Sequence, residues 1–209
     1  NITSNETSSS RPGSLVNISG MFIASLNISS RSQDTHWKGF VGWVNGRFTL
    51  DDATGSTLYD WPLNTFSGGE VFATRNSTSP VWTNIRCANT STLEFENYLM
   101  NHSNADDNIT KTFSNTTHAP FVVAGISIDA DDCPTLYTYK QNATSNDFVE
   151  VALWEGQNHT QGSHIFATIL ENRVTGFDSG NYDFQMIVPE NGASTFSGAI
   201  AYYLYVELG

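Results

Sequence analysis

The stretch SLVNISGMFIASLNIS (residues 14–29) decides the fold class. Its even positions, Val16, Ile18, Gly20, Phe22, Ala24, Leu26 and Ile28, form a nearly unbroken apolar row. Its odd positions carry Asn17, Ser19, Ser25, Asn27 and Ser29, with Met21 and Ile23 as exceptions. A period of two is that of a β-strand with one face buried and one in water. At about 3.3 Å per residue the strand would span roughly 45–50 Å, where a common strand spans about 17–20 Å. That is long enough to cross more than one sheet or to reach beyond its own domain. Alternation sets the face and not the partner. Two readings therefore stand: an ordinary first strand folded in cis and bent at Gly20, or a strand donated to a neighbour through Val16, Ile18, Phe22, Ala24, Leu26 and Ile28.

On one side of this stretch, residues 1–13 are rich in Ser, Thr and Asn and read as an unanchored arm. On the other, residues 30–209 read as one β domain, opening with a polar loop at 30–35. WKGFVGWV (37–44) and RFTL (47–50) flank Asn45-Gly46, which predicts a hairpin turn. A second turn, DDATGS (51–56), leads into TLYDWPL (57–63), and EVFATR (70–75) and VWTNIRC (81–87) read as further strands. One helix is predicted at 92–100, where Ser91 and Glu94 match a capping box and Phe95, Tyr98 and Leu99 an apolar face. Residues 101–117 read as a solvated loop.

Strands resume with PFVVAGISI (120–128), TLYTYK (135–140), DFVEVALW (147–154), HIFATILEN (164–172) and YDFQMIV (182–188). In the last strand, AIAYYLYVEL (199–208), Ile200, Tyr202, Leu204, Val206 and Leu208 share a face, and the strand is expected inside a sheet. About twelve short strands, one short helix and no βαβ rhythm mean an all-β fold, a β-sandwich or jelly roll.

Charged residues make up only 14% of the chain and the net charge is −12. The nine Lys and Arg are scattered singly, so nucleic acid and anionic lipid are excluded as partners. No run approaches the roughly 18 apolar residues of a membrane span. Asn1, Asn5, Asn17, Asn27, Asn76, Asn89, Asn101, Asn108, Asn115, Asn142 and Asn158 each open an Asn-x-Ser/Thr sequon. That is eleven of twenty asparagines, where chance would give about four or five, and the excess reads as selection for a coat of covalent N-glycans. The compartment is then extracellular or cell-surface, with the polar opening NITSNETSSS following removal of a signal peptide. Cys87 and Cys133 fit it as a disulfide closing a loop of about 45 residues, worth about 3–4 kcal/mol. Two buried free thiols are the alternative.

Catalytic signals are thin. No Gly-x-Ser-x-Gly elbow is present. The histidines (His36, His102, His118, His159 and His164) lack zinc-ligand spacing, and two lie inside sequons. Glu70, Glu150 and Glu155 are the acids a glycosidase pair would draw on, though solvated strand-edge acids are the commoner case. A structural calcium is considered at Asp129, Asp131 and Asp132, less so at Asp51, Asp52 and Thr54. Otherwise no cofactor is expected. Trp37, Trp43, Trp61, Trp82 and Trp154 offer a sugar-stacking platform or core anchors. Trp37 and Trp43 share parity with Val41, as core residues would.

WKGFVGWVNGRFTLDDATGSTLYDWPL, GGEVFATR, VWTNIRC, DCPTLYTY, NYDFQMIVPENG and the final AYYLYVEL resemble a largely uncharacterised family of secreted archaeal β-rich glycoproteins. The design is also similar to archaeal thread and bundling-pilus subunits, glycosylated β-domains whose first strand completes the next subunit's sheet. That resemblance rests on residues 14–29 and the sequon density, and it implies a head-to-tail homopolymer. The hydrophobic N-terminal helix of type IV pilins is missing. The chain is therefore expected to be a structural, non-enzymatic subunit of an extracellular filament. The alternative is a monomeric carbohydrate-binding module or surface-layer component with the first strand in cis; a polysaccharide-active enzyme ranks third.

Overall fold

Two hydrophobic patterns, alternating near the start of the chain and continuous in its second half, build two different sheets. The computed structural model describes residues 2–3, 22–32, 36–51, 57–63, 68–141, 143–193 and 200–208. The first strands are β1 (Ile2–Thr3), β2 (Phe22–Ser32), β3 (Trp37–Asp51), β4 (Thr57–Leu63), β5 (Gly69–Thr74) and β6 (Ile85–Cys87). Helix α1 (Thr90–Leu99) and the single turn α2 (Ile109–Thr112) follow. Then come β7 (Phe121–Val123), β8 (Ile126–Ile128), β9 (Thr135–Lys140), β10 (Ala143–Asn158) and β11 (Gln161–Ile169). The chain closes with β12 (Val174–Thr175), β13 (Asn181–Tyr182), β14 (Phe184–Pro189) and β15 (Tyr203–Leu208).

Sheet one runs β1-β2-β3-β14, with β4 also on β3. Sheet two runs β15-β5-β11-β10-β6, with β9 also on β10. The pairings in both are antiparallel. The sheets face each other across a core in which Phe40, Val44, Phe184, Met186 and Val188 of sheet one and its flank meet Val71, Ala73, Ala152 and Phe166 of sheet two. The architecture is that of a β-sandwich. Sheet two has a second core on its outer face, where Phe72, Val151, Leu153, Ile165 and Ala167 pack under Phe121, Val123 and Ile128 of the β7–β8 hairpin. A strand buried on both faces needs apolar side chains at successive positions. The uninterrupted burial of residues 151–154 and 164–168 follows from that demand. In sheet one, by contrast, Asn27, Ser29, Trp43 and Asn45 face water while Leu26, Ile28, Phe40 and Val44 face the core.

β3 carries two partners on one edge. β14 pairs with residues 37–42 and β4 with residues 46–51. In the gap, the buried Asp183 replaces a strand: its Oδ2 accepts the Val44 N–H at 2.9 Å, and its backbone N–H donates to Gly42 O at 2.8 Å. This arrangement overturns the predicted turn at Asn45-Gly46. Asn45 and Gly46 lie within continuous strand, opposite Ser25 and Ala24 of β2, and Gly46 also pairs with Leu63. Strand neighbours on both edges outweigh the local turn preference.

Several other expectations are corrected. VWTNIRC is not one strand: Trp82–Asn84 is a 3₁₀ turn leading into β6. α1 starts earlier than predicted, capped by Asn89 and Thr92 in a reciprocal box instead of Ser91 and Glu94. Its buried face is Thr92, Leu93, Glu96 and Asn97, so Phe95, Tyr98 and Leu99 point outward. Glu96 and Asn97 tolerate burial because they are paired. Arg75 grips both Glu96 oxygens at 2.6 and 2.7 Å, and Asn97 accepts the Ile109 N–H and donates to Thr110 Oγ1. The 101–117 segment is not simply solvated: it contains α2 and buries His102, Ile109 and Phe113. PFVVAGISI folds as the β7–β8 hairpin around Ala124-Gly125, both at positive φ (49° and 84°). Trp37 and Trp43 do not share the core row, which is that of Phe40 and Val44; Trp43 is exposed, and Trp37 is buried by Asp107 and His102. β15 presents Leu204, Val206 and Leu208 to the core as expected, but it lies at the edge of sheet two, paired with β5 alone among the described residues.

Candidate functional site

The long first strand is described from Phe22 onward; Val16 and Ile18 lie outside the described residues, as do residues 4–21 as a whole. From Phe22↔Phe48 to Ser32↔Lys38, β2 pairs in cis with β3 in unbroken register. Leu26 and Ile28 pack against the main core, and Asn27 and Ser29 face out, as the alternation requires. The strand extends to Ser32, so the predicted boundary between a donor strand and a domain at residue 30 falls inside β2. Nor is the arm wholly unanchored, since Ile2 and Thr3 pair with Ser30 and Ser29. One residue that sequence reasoning did not single out controls this contact: a Cβ at Gly42 would overlap the backbone carbonyl of Asn27 and press on Phe184. A glycine in an otherwise apolar strand row is the signal that marks such an approach.

The sequon asparagines form the second candidate set. Of the eleven, Asn27, Asn76, Asn89, Asn101, Asn108, Asn115 and Asn158 have described side chains, and none of these is buried. In five of them the carbonyl oxygen organises the local backbone. Asn76 Oδ1 accepts Thr78 N–H and Oγ1–H, and Asn158 Oδ1 accepts Thr160 N–H, Thr160 Oγ1–H and Gln161 N–H. Asn115 Oδ1 takes the amides of Thr116 and Thr117. Asn89 and Asn108 cap α1 and α2 through Thr92 and Lys111. Among the described residues Nδ2 of these five has no protein partner, and Nδ2 is the atom an N-glycan is joined to. Asn101 differs: its Nδ2 donates to Asn191 Oδ1 at 2.9 Å. Asn1, Asn5, Asn17 and Asn142 lie outside the described residues.

Cys87 and Cys133 form the disulfide, with Cα atoms 4.8 Å apart. It ties β6 to the loop before β9, beneath the second core. Beside it, His118 accepts the Cys133 N–H on Nε2 and reaches Ala119 O through Nδ1, and Asp131 Oδ1 accepts the His118 N–H. Asp131 therefore has a structural partner, and among the described residues no three acidic, His or Cys side chains converge as a metal site. Asp129, Asp131 and Asp132 are not brought together as ligands. The side chains of Asp51, Asp52 and Thr54 lie outside the described residues.

The three carboxylates do not assemble either. Parity places Glu150 with Ala152 on the inner face of sheet two, and Glu70 with Phe72 on the outer. Glu155, on the outer face, is registered to Ser163 while Glu70 is registered to Ile169, far along β11. Each has a structural role. Glu150 is fully buried and accepts the outward Ile187 N–H of β14 at 2.8 Å, while Thr168 Oγ1 donates to Gln185 O at 3.0 Å. Burial pushes the Glu150 carboxyl well above its ordinary range. Glu70, 4% exposed, lies opposite Glu207 of β15. Burial, with the Glu207 charge adding to it, pushes Glu70 up to about 8. Glu207 itself accepts the Ala124 N–H on both oxygens, at 2.9 and 3.1 Å.

Trp37 and Trp154 are buried, Trp82 packs on Phe72 and Tyr205, and Arg173 lies over Trp43. The described tryptophans thus form no shared platform. A groove of about 570 Å³ lies between β9 and the outer face of sheet one, crossed by Gln185, which bonds Phe177 N, Thr138 Oγ1 and Tyr139 O. Among the described residues no helix is long and apolar enough to cross a membrane. Comparison with protein-family models, curated proteins and solved structures finds no match for this chain.

Proposed function

We propose that this chain is a structural subunit of an extracellular, glycan-coated assembly, joined to its neighbours by exchange of the first strand. The observation that carries the reading is β2. It fills core positions with Leu26 and Ile28 and carries on its far side only the two-residue β1, while residues 33–36 connect it in the chain to β3. A neighbour's β2 would make the same backbone bonds and fill the same positions, which is the chemistry of strand addition. Repeated head to tail without closure, the exchange gives a filament. The sequon asparagines support the coat: those with described side chains are all at least partly exposed, and five engage Oδ1 in local hydrogen bonds while, among the described residues, Nδ2 has no protein partner. Attachment at such a site forms an Nδ2–C1 bond, with one Nδ2 proton lost and the phosphate of an activated sugar donor departing. The disulfide supports an oxidising compartment.

The cis pairing of β2 with β3 favours a second reading, a monomeric surface component that keeps its own strand. Removal of residues 1–29 separates the two. If the full chain forms filaments by electron microscopy, and the shortened chain is monomeric and binds a peptide of residues 14–29, strand exchange is the assembly mechanism. If the full chain is monomeric and the shortened one unfolds, the strand belongs to its own core and the second reading replaces the first.

A further inference from the structure

α1 turns its apolar side to solvent: Phe95 is 49%, Tyr98 74% and Leu99 42% exposed. Three exposed apolar side chains one helical turn apart make a clustered patch, which calls for an occupant. Phe95 and Leu99 line a recess of about 290 Å³ that Asn76 also lines, together with Trp154 and the Arg75–Glu96 ion pair. Asn76 opens the Asn-Ser-Thr sequon. Its Oδ1 is held by Thr78 N–H at 3.1 Å and Thr78 Oγ1–H at 2.8 Å, so the side chain is fixed with Nδ2 as its remaining group.

We infer that the patch is the resting place of the chain's own Asn76 glycan, an oligosaccharide whose first residues fold back over α1. The inference rests on the reading of Asn76 as a glycan acceptor. Sugar rings present faces of polarised C–H groups that pack on the negative face of an aromatic ring, while their hydroxyls need hydrogen-bonding partners. The recess offers both, with Phe95 and Leu99 as the apolar wall and the partly exposed Arg75 guanidinium, held in place by Glu96, as a donor. The tether supplies what a small apolar patch lacks in affinity. A group attached at the rim is present at an effective concentration in the millimolar range, so a weak contact is populated without free ligand. The same tether argues against a protein partner here, because a glycan rooted in the wall stands in the way of a second surface.

The test uses the native glycoprotein. Peptide mapping first establishes whether Asn76 carries a sugar; hydroxyl-radical footprinting then compares the protein before deglycosylation in the folded state, after it, and as the Asn27→Gln variant. The expected result is an occupied Asn76 and several-fold lower reactivity of Phe95 and Tyr98 while the sugar is present, with Asn27→Gln leaving that protection unchanged. An occupied Asn76 with equal reactivity in all three samples overturns the docking and leaves the glycan coat standing. A bare Asn76 overturns both at this position.

Discussion

Sheet two is buried on both faces and cross-linked, whereas in sheet one the described side chains of residues 26–29 and 40–45 alternate between core and solvent, and β2 is bordered on its far side only by the two-residue β1. In sheet two, successive residues such as Val151, Ala152, Leu153 and Trp154 each have apolar neighbours, and the disulfide anchors β6 beside them. In sheet one, β2 depends on Leu26, Ile28 and the tight approach at Gly42. The difference divides labour within a single sandwich. One sheet supplies a scaffold whose loss is global, and the other supplies an element whose loss is local.

The largest effect expected is of pH, and it belongs to sheet two, which carries Glu70 and Glu150. Both carboxyls are held neutral by burial, while in the unfolded chain they ionise near 4.5. Their contribution is full below that value and is lost as pH rises, with the Glu70 part complete near 8 and at most roughly 5 kcal/mol. Denaturant titrations across this range should show stability falling with pH, with Glu70→Gln flattening the slope. Stability that rises from acid to neutral pH would break the comparison.

Next in size is removal of the disulfide. A Cys87→Ser/Cys133→Ser double variant frees a chain segment of 46 residues' separation and should cost about 4 kcal/mol, a Tm drop of roughly 10 °C. Hydrogen exchange should place the loss in β6, β9 and β10. Equal loss in β2 would mean that β2 opens only together with the whole fold and not locally.

The smallest expected effect is that of Gly42→Ala, roughly 1–3 kcal/mol from the forced shift of the Asn27 carbonyl. It sharpens the contrast most, because amides of β2 should exchange faster while those of β5, β10 and β11 keep their protection.

Within the alternating stretch 14–29, residues 26–29 keep the expected faces, and these and the apolar runs of β10 and β11 were legible because burial acts on them through local periodicity. The disulfide followed from two cysteines. What could not be read depends on partners distant in the chain. Asn45-Gly46 is a turn by local preference, and only pairing with Ala24 and Leu63 keeps it extended. The helix face was inverted because Glu96 and Asn97 are buried by virtue of Arg75, Ile109 and Thr110, which an apolar count ignores. Of the candidate site, the sequon positions were plain in the sequence. The recess joining Asn76 to Phe95 was not, since it exists only once α1 lies beside the end of β5.

The continuous β2–β3 register has a kinetic consequence. The two strands are neighbours in sequence, and hairpins of this kind close within about 1–10 μs, well before two molecules meet at ordinary concentrations. Each new subunit would therefore arrive with its strand already engaged, and exchange would first require that hairpin to open. Growth limited by such a step is first order and insensitive to concentration once free ends are saturated. Under the proposed strand exchange, such a subunit would be stored as a monomer and its polymerisation would be timed by its own hairpin.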